Sequence, residues 1–286
     1  MKIVDVQNLS VQTIDGSNVV SEISFSIEPG ARLGLIGESG SGKSMTALAI
    51  MGLLPAELKA SGSLRLGNGK NEPVQILGTP EKMLNRIRGT VASIVFQEPL
   101  TALDPLMKIG RQLSEPLRRW QGLTGDALKD AVISALAEVH INKPERIAAS
   151  YPYEISGGER QRAAIAMALA CEPALLIADE PTTALDVTVQ AEILTLLDAV
   201  VSNRGMSLLF ISHDLAVVSR ITDRVLVMKD GSVVESGSLR DVLRDPQHPY
   251  TRDLVTSAKE LDNALDIALD IEKGTEIGGS DDFANS

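Results

Sequence analysis

The sequence predicts an α/β fold: a mostly parallel sheet with helices, an antiparallel β subdomain beside it and an inserted helical subdomain. Three patterns carry that expectation. Leu33-Gly34-Leu35-Ile36, Ala174 to Ala178 and Ser207 to Ile211 are short, near-continuous apolar runs, as strands buried on both faces of a parallel sheet require. The opening 30 residues alternate instead, with Val4, Val6 and Leu9 and then Ile23, Phe25 and Ile27. One buried and one wetted face suits antiparallel strands. From about residue 100 to 157 the period becomes helical. Ile109, Leu113 and Leu117 recur every fourth residue, and Leu128, Val132, Leu136 and Val139 share one face of a second helix. That block interrupts the α/β alternation and reads as the helical insertion.

Composition narrows the function classes. A chain of 286 residues that is 44% hydrophobic and 23% charged can bury a sizeable core, and disorder as its main state is excluded. Lys and Arg number 27 against 38 Asp and Glu, for a formal charge of −11; that is the wrong sign for gripping a phosphate backbone, so no nucleic acid is expected as partner. No apolar run approaches the ~18 residues of a membrane span, and the opening MKIVDVQN lacks a signal peptide's basic and apolar blocks. A soluble chain on the cytoplasmic side is expected. The single cysteine, Cys171, excludes an internal disulfide and is expected to be a free buried thiol. Residues 260 to 286 hold eight acids and one base, seven of the eleven excess negative charges. Leu261, Ala264, Leu265, Ala268 and Leu269 follow amphipathic helical spacing there, while Asp262, Asp266 and Asp270 repel one another at i, i+4. A marginal helix and then a disordered end are expected.

Three segments carry chemistry. Gly37-Glu38-Ser39-Gly40-Ser41-Gly42-Lys43-Ser44 fits G-x-x-x-x-G-K-[ST] between a strand-like and a helix-like run, the context in which that motif cradles phosphates. Its glycines let successive N–H groups point inward, the following helix adds its positive end, Lys43 would reach the β and γ phosphates and Ser44 would ligate Mg²⁺. The run Ala174 to Ala178 ends in Asp179-Glu180, two carboxylates at the edge where open α/β sheets bind ligands. An Asp there can hold Mg²⁺ and the adjacent Glu can polarise water; the alternative is an ordinary helix-start pair. Ser156-Gly157-Gly158-Glu159-Arg160 precedes the helical segment Ala163 to Ala170 and reads either as a second anion site or as a plain N-cap.

Together these segments resemble the ATP-binding subunit of an ABC transporter, a family built on the phosphate-loop ATPase core, across about residues 3 to 255. The resemblance adds a Q-loop glutamine, Gln97 in Val95-Phe96-Gln97-Glu98-Pro99, a D-loop at Ala184-Leu185-Asp186 and a switch histidine, His213 in Ile211-Ser212-His213-Asp214. Gln97 to Pro105, Ala178 to Asp186 and His248-Pro249-Tyr250-Thr251 are similar to the oligopeptide/dipeptide/nickel importer branch. It implies an ATP-binding domain over residues 1–245, with the helical subdomain at about 100–157, and a C-terminal extension over 246–286. It implies ATP and Mg²⁺ as cofactors: Gly37 to Ser44 and Gln97 on the nucleotide, Ser44, Gln97 and Asp179 on the metal, Glu180 and His213 as catalytic residues. Ser156, Gly157, Gly158 and Glu159 would cover ATP held by a second ATPase subunit, expected to be a sister chain, and Asp186 would link the two sites. The other implied partners are two transmembrane permease subunits and an extracytoplasmic substrate-binding protein, at the cytoplasmic face of the inner membrane. Peptides are the expected cargo; nickel or another small solute is the alternative, as is a soluble non-transport ATPase, which the short spacing between Gln97 and Ser156 disfavours. Members usually stack adenine on an aromatic about 29 residues before the lysine. Here that stretch is Val11-Gln12-Thr13-Ile14, so the resemblance supplies no residue to hold the base.

Overall fold

The computed structural model describes residues 1–98, 102–183 and 185–259. The chain opens with β1 (Val4–Thr13), β2 (Asn18–Ile27) and β3 (Arg32–Ile36), followed by α1 (Lys43–Ile50), β4 (Leu58–Leu66), β5 (Val74–Gln75), α2 (Glu81–Ile87) and β6 (Ala92–Val95). Helices α3 (Ile109–Gln121), α4 (Gly125–Glu138), α5 (Pro144–Ala149) and α6 (Gly157–Leu169) come next. The last third holds β7 (Leu175–Asp179), α7 (Val187–Arg204), β8 (Ser207–Ser212), α8 (Leu215–Ser219), β9 (Arg224–Lys229), β10 (Ser232–Ser238), α9 (Leu239–Arg244) and α10 (residues 249–259).

Two sheets form. The antiparallel one has the order β2-β1-β4-β5, and the larger one β10-β9-β3-β8-β7-β6, parallel except where β10 meets β9. The expected alternation in β1 and β2 and the apolar runs in β3, β7 and β8 are thereby accounted for. β7 and β8 are buried along their whole length because helices and the second sheet cover opposite faces. Leu176, Ala178, Leu208 and Phe210 point into one core cluster, with the helical insertion and α7. Leu175, Ile177, Leu209 and Ile211 point into the other, with α1 and the antiparallel sheet. Period-2 alternation is invisible when both faces are dry.

The helical insertion packs through the faces its spacing marks out. Ile109, Leu113 and Leu117 are buried on α3, and Val132 and Leu136 on α4. Buried Gln112 accepts from the Asp104 N–H at 2.9 Å and donates to the carbonyls of Asp104 and Met107, fixing the loop that enters the insertion. At the C-terminal end, Tyr250 and Val255 of α10 are buried in the same cluster as the insertion and α7. Cys171 is a free, partly buried thiol, which burial first, and Glu172 second, push above the ordinary thiol range. The amphipathic and acidic segment expected beyond residue 259 lies outside the described residues.

Candidate functional site

The loop between β3 and α1 curls around its own lysine. Lys43 is buried, and its Nζ donates to the carbonyls of Gly37 and Glu38 at 2.7 and 2.8 Å. Burial pulls the ammonium below its ordinary range, opposed by the charges of Glu180, Asp179 and Glu38. The glycines meet two different demands. Gly42 caps α1 in a left-handed conformation, φ +96°, where an added Cβ would also lie 2.7 Å from the Val19 carbonyl oxygen. At Gly37 the demand is proximity, since a Cβ would fall 2.2 Å from the carbonyl oxygen of Met228 on β9.

The edge of β7 supplies the acids. Asp179 accepts a hydrogen bond from Ser44 Oγ at 3.1 Å, joining the phosphate loop to the acidic strand end. Burial pushes its carboxyl above the usual carboxylate range; the Ser44 hydroxyl and Lys43 act against that and Glu180 with it. Glu180 has left the strand in a left-handed conformation, φ +48°, a strained state for a non-glycine residue that persists only where surroundings over-determine it. Its N–H donates to the Ile211 carbonyl at 2.9 Å. Its Oε2 accepts from Thr183 Oγ1 at 2.9 Å, and its Oε1 stands 3.3 Å from His213 Nδ1. Among the described residues no three His, Cys, Asp or Glu side chains cluster as a metal site. The hydroxyl of Ser44 and the carboxylate of Asp179 form the sparse oxygen set that suits Mg²⁺, an ion that normally completes its shell with phosphate oxygens and water.

A cleft of about 650 Å³ opens over these groups, lined by Glu38, Ser39, Gly40, Gly42, Lys43, Ser44, Gln97, Glu180 and His213. Sequence reasoning had marked all nine. It had not marked Val19, Met45, Thr183 or Leu254, which line the cleft too. Nor had it given a role to Tyr250, whose hydroxyl accepts from the Glu38 N–H at 2.8 Å. Ser41 is buried behind the loop.

Ser156 to Glu159 and Asp186 are not among the residues around this cleft. Ser156 caps α6 in a capping box: Ser156 Oγ accepts from the Glu159 N–H at 3.3 Å, and the Glu159 carboxylate accepts from the Ser156 N–H at 2.9 Å. The Glu159 carboxylate also pairs with Arg146. Burial works to raise the Glu159 carboxyl, but the Ser156 hydrogen bonds and Arg146 prevail and hold it low. Ser156 and Gly157 remain exposed to solvent. Asp186 is exposed as well and caps α7, accepting from the Val189 N–H at 3.0 Å.

A glycine-rich loop from a parallel strand into a helix, tied to an acid at the end of a neighbouring parallel strand, defines a phosphate-loop nucleotide-binding protein. Residues 20–183 match the ABC transporter family, and the chain belongs to that family. It is 44% identical to the oligopeptide transport ATP-binding protein OppD of Escherichia coli K12, over 91% of this chain and 77% of that one. It is 48% identical to the peptidoglycan transport ATP-binding protein YejF of Agrobacterium fabrum, over 89% of this chain and 47% of that longer protein. Among solved structures, the dimeric ATP-binding cassette MJ0796, bound to ADP and Pi in a post-hydrolysis state, superposes with a TM-score of 0.72 at 28% identity, covering 83% of this chain and 99% of that one.

Proposed function

We propose that the chain is the ATP-hydrolysing subunit of a peptide importer, working as one of two cassettes that close on ATP. The observation that carries this reading is the Glu180 carboxylate, held at the end of β7 beside His213 and opening into the cleft floored by the phosphate loop. A carboxylate so placed can take a proton from water as that water attacks the γ-phosphate, and His213 can contact the phosphate being transferred. Lys43 and the N–H groups of Gly40 to Ser44 would neutralise the charge that develops. Mg²⁺, when bound, would be held by Ser44, Gln97 and Asp179 and would supply positive charge against the phosphates.

Exposed Ser156 and Gly157, remote from the chain's own cleft, suit a head-to-tail pair in which each signature covers the partner's ATP and Asp186 runs between the two sites. The dimeric cassette MJ0796 supports the pairing of two cassettes, and the oligopeptide name of OppD supports peptide as cargo. A sister cassette, two permease subunits, a substrate-binding protein outside the membrane and a station on the cytoplasmic face of the inner membrane complete the assignment. Its test is phosphate release from MgATP. In Glu180→Gln hydrolysis should fall by about 10²- to 10⁴-fold, because only the water-activating group is lost, while ATP binding persists and traps a closed dimer on size exclusion. Parent-like turnover in that variant would remove Glu180 from the role of base.

A further inference from the structure

We propose that α10 completes the nucleotide pocket: Leu254, together with Val19, forms the apolar surface on which the base of ATP lies. The inference deepens the reading of the cleft as a nucleotide site and rests on it. A nucleotide has two unlike ends, and the phosphate loop serves only the charged one; a flat, weakly polar base gains by leaving water only against apolar side chains. The β1–β2 turn supplies none. Val11 is buried in the core, Ile14 is 72% exposed and outside the cleft, and the Thr13 hydroxyl is tied into the turn with Asp15 and the Ser17 carbonyl. No described residue lining the cleft is aromatic, and the apolar side chains that do line it are Val19, Met45 and Leu254. Met45 follows Ser44 directly on α1 and sits with the phosphate end, which leaves Val19 and Leu254 for the base.

Leu254 is also held for the task. It is half-buried, packed against the core on one side while lining the cleft with the other. Tyr250, one turn earlier on the same helical face, anchors α10 to the phosphate loop through the 2.8 Å bond from the Glu38 N–H, and Lys229 Nζ lies 5.0 Å from the centre of its ring.

The test compares two ligands that share a phosphate end, MgATP and magnesium tripolyphosphate, by titration calorimetry on the full chain. Leu254→Ala should weaken ATP about tenfold and leave tripolyphosphate unchanged. Leu254→Trp, which offers a stacking platform, should tighten ATP, and its fluorescence should be quenched on binding. If both ligands shift together in Leu254→Ala, or if neither variant alters ATP affinity, the base wall is elsewhere. Failure of the parent to bind MgATP at all would instead overturn the nucleotide reading beneath it.

Discussion

Gly37 and Gly40 occupy one motif for unlike reasons, and the difference can be measured. At Gly40 the backbone is left-handed, φ +83°, with open space where a Cβ would go; Gly40→Ala therefore meets only a conformational penalty of about 1–2 kcal/mol. At Gly37 the obstacle is the Met228 carbonyl on β9, 2.2 Å from the would-be Cβ. Backbone cannot swing aside as a side chain can, so Gly37→Ala should lower the melting temperature more than Gly40→Ala does and abolish MgATP binding by shifting the loop; equal behaviour of the two would contradict the close-approach argument. Tyr250 works on the same loop from 212 residues away. Tyr250→Phe leaves the Glu38 N–H without its acceptor and should weaken ATP and tripolyphosphate alike, by roughly five- to tenfold on the ~1 kcal/mol scale of one hydrogen bond, where a base-contacting residue would separate them. The glycines were visible because the motif is local. Tyr250 stood in the quoted His248-Pro249-Tyr250-Thr251 without a role, because nothing in sequence spacing says that it meets Glu38.

At the scale of elements, α6 begins in a capping box, and the signature role is proposed for the same residues. The capping box of Ser156 and Glu159 is the ordinary N-cap that sequence reasoning kept open, and its exposed serine and glycine are also what a signature facing another chain needs. Ser156→Ala separates the roles. Loss of the cap costs about 1 kcal/mol, a shift of some 2–4 °C in a chain of this size. The same change should cut ATP hydrolysis by orders of magnitude and leave ATP affinity of the monomer untouched, since Ser156 is outside its own cleft; a weakened monomer affinity would contradict that separation. The approach to α10 is anchored by β10, where the Glu235 carboxylate accepts from the N–H groups of Gln247 and His248, each at 2.9 Å. Burial works to raise this carboxyl, but the Gln247 hydrogen bond foremost, then Thr251, the His248 hydrogen bond and the His248 charge, prevail and hold it low. A depressed folded-state value means stabilisation that is present above the unfolded value of about 4.3 and lost as pH falls through the folded one. Glu235→Gln should therefore speed amide exchange across residues 247–259 at neutral pH, and the gap between variant and parent should close below about pH 4.3. The strands were legible because burial on both faces writes a continuous apolar run. The anchoring of α10 was not, because it depends on one carboxylate meeting two backbone donors twelve and thirteen residues on.

Across the whole molecule, the two cores flanking the main sheet bind the phosphate loop, the acidic strand end and α10 into one unit, while Ser156, Gly157 and Asp186 lie exposed on the surface, outside the cleft. On the proposed head-to-tail pairing, a single copy would carry two half-sites: its phosphate loop, and the signature for another chain's ATP. The apolar faces of α3 and α4 in the helical insertion are buried in the same cluster as α7, and Gln97, which precedes the insertion in sequence, lines the cleft. No helix among the described residues is long and apolar enough to cross a membrane. Affinity capture of the tagged chain from detergent-solubilised membranes of its own organism should recover two multi-spanning proteins and a second cassette, and the complex should survive better with Glu180→Gln and ATP, which keep the cassettes closed. High salt or urea applied before detergent should strip the chain from the membrane while the multi-spanning proteins stay behind. Recovery of ribosomes or chromosomal proteins in their place would leave the nucleotide chemistry standing and overturn its assignment to transport.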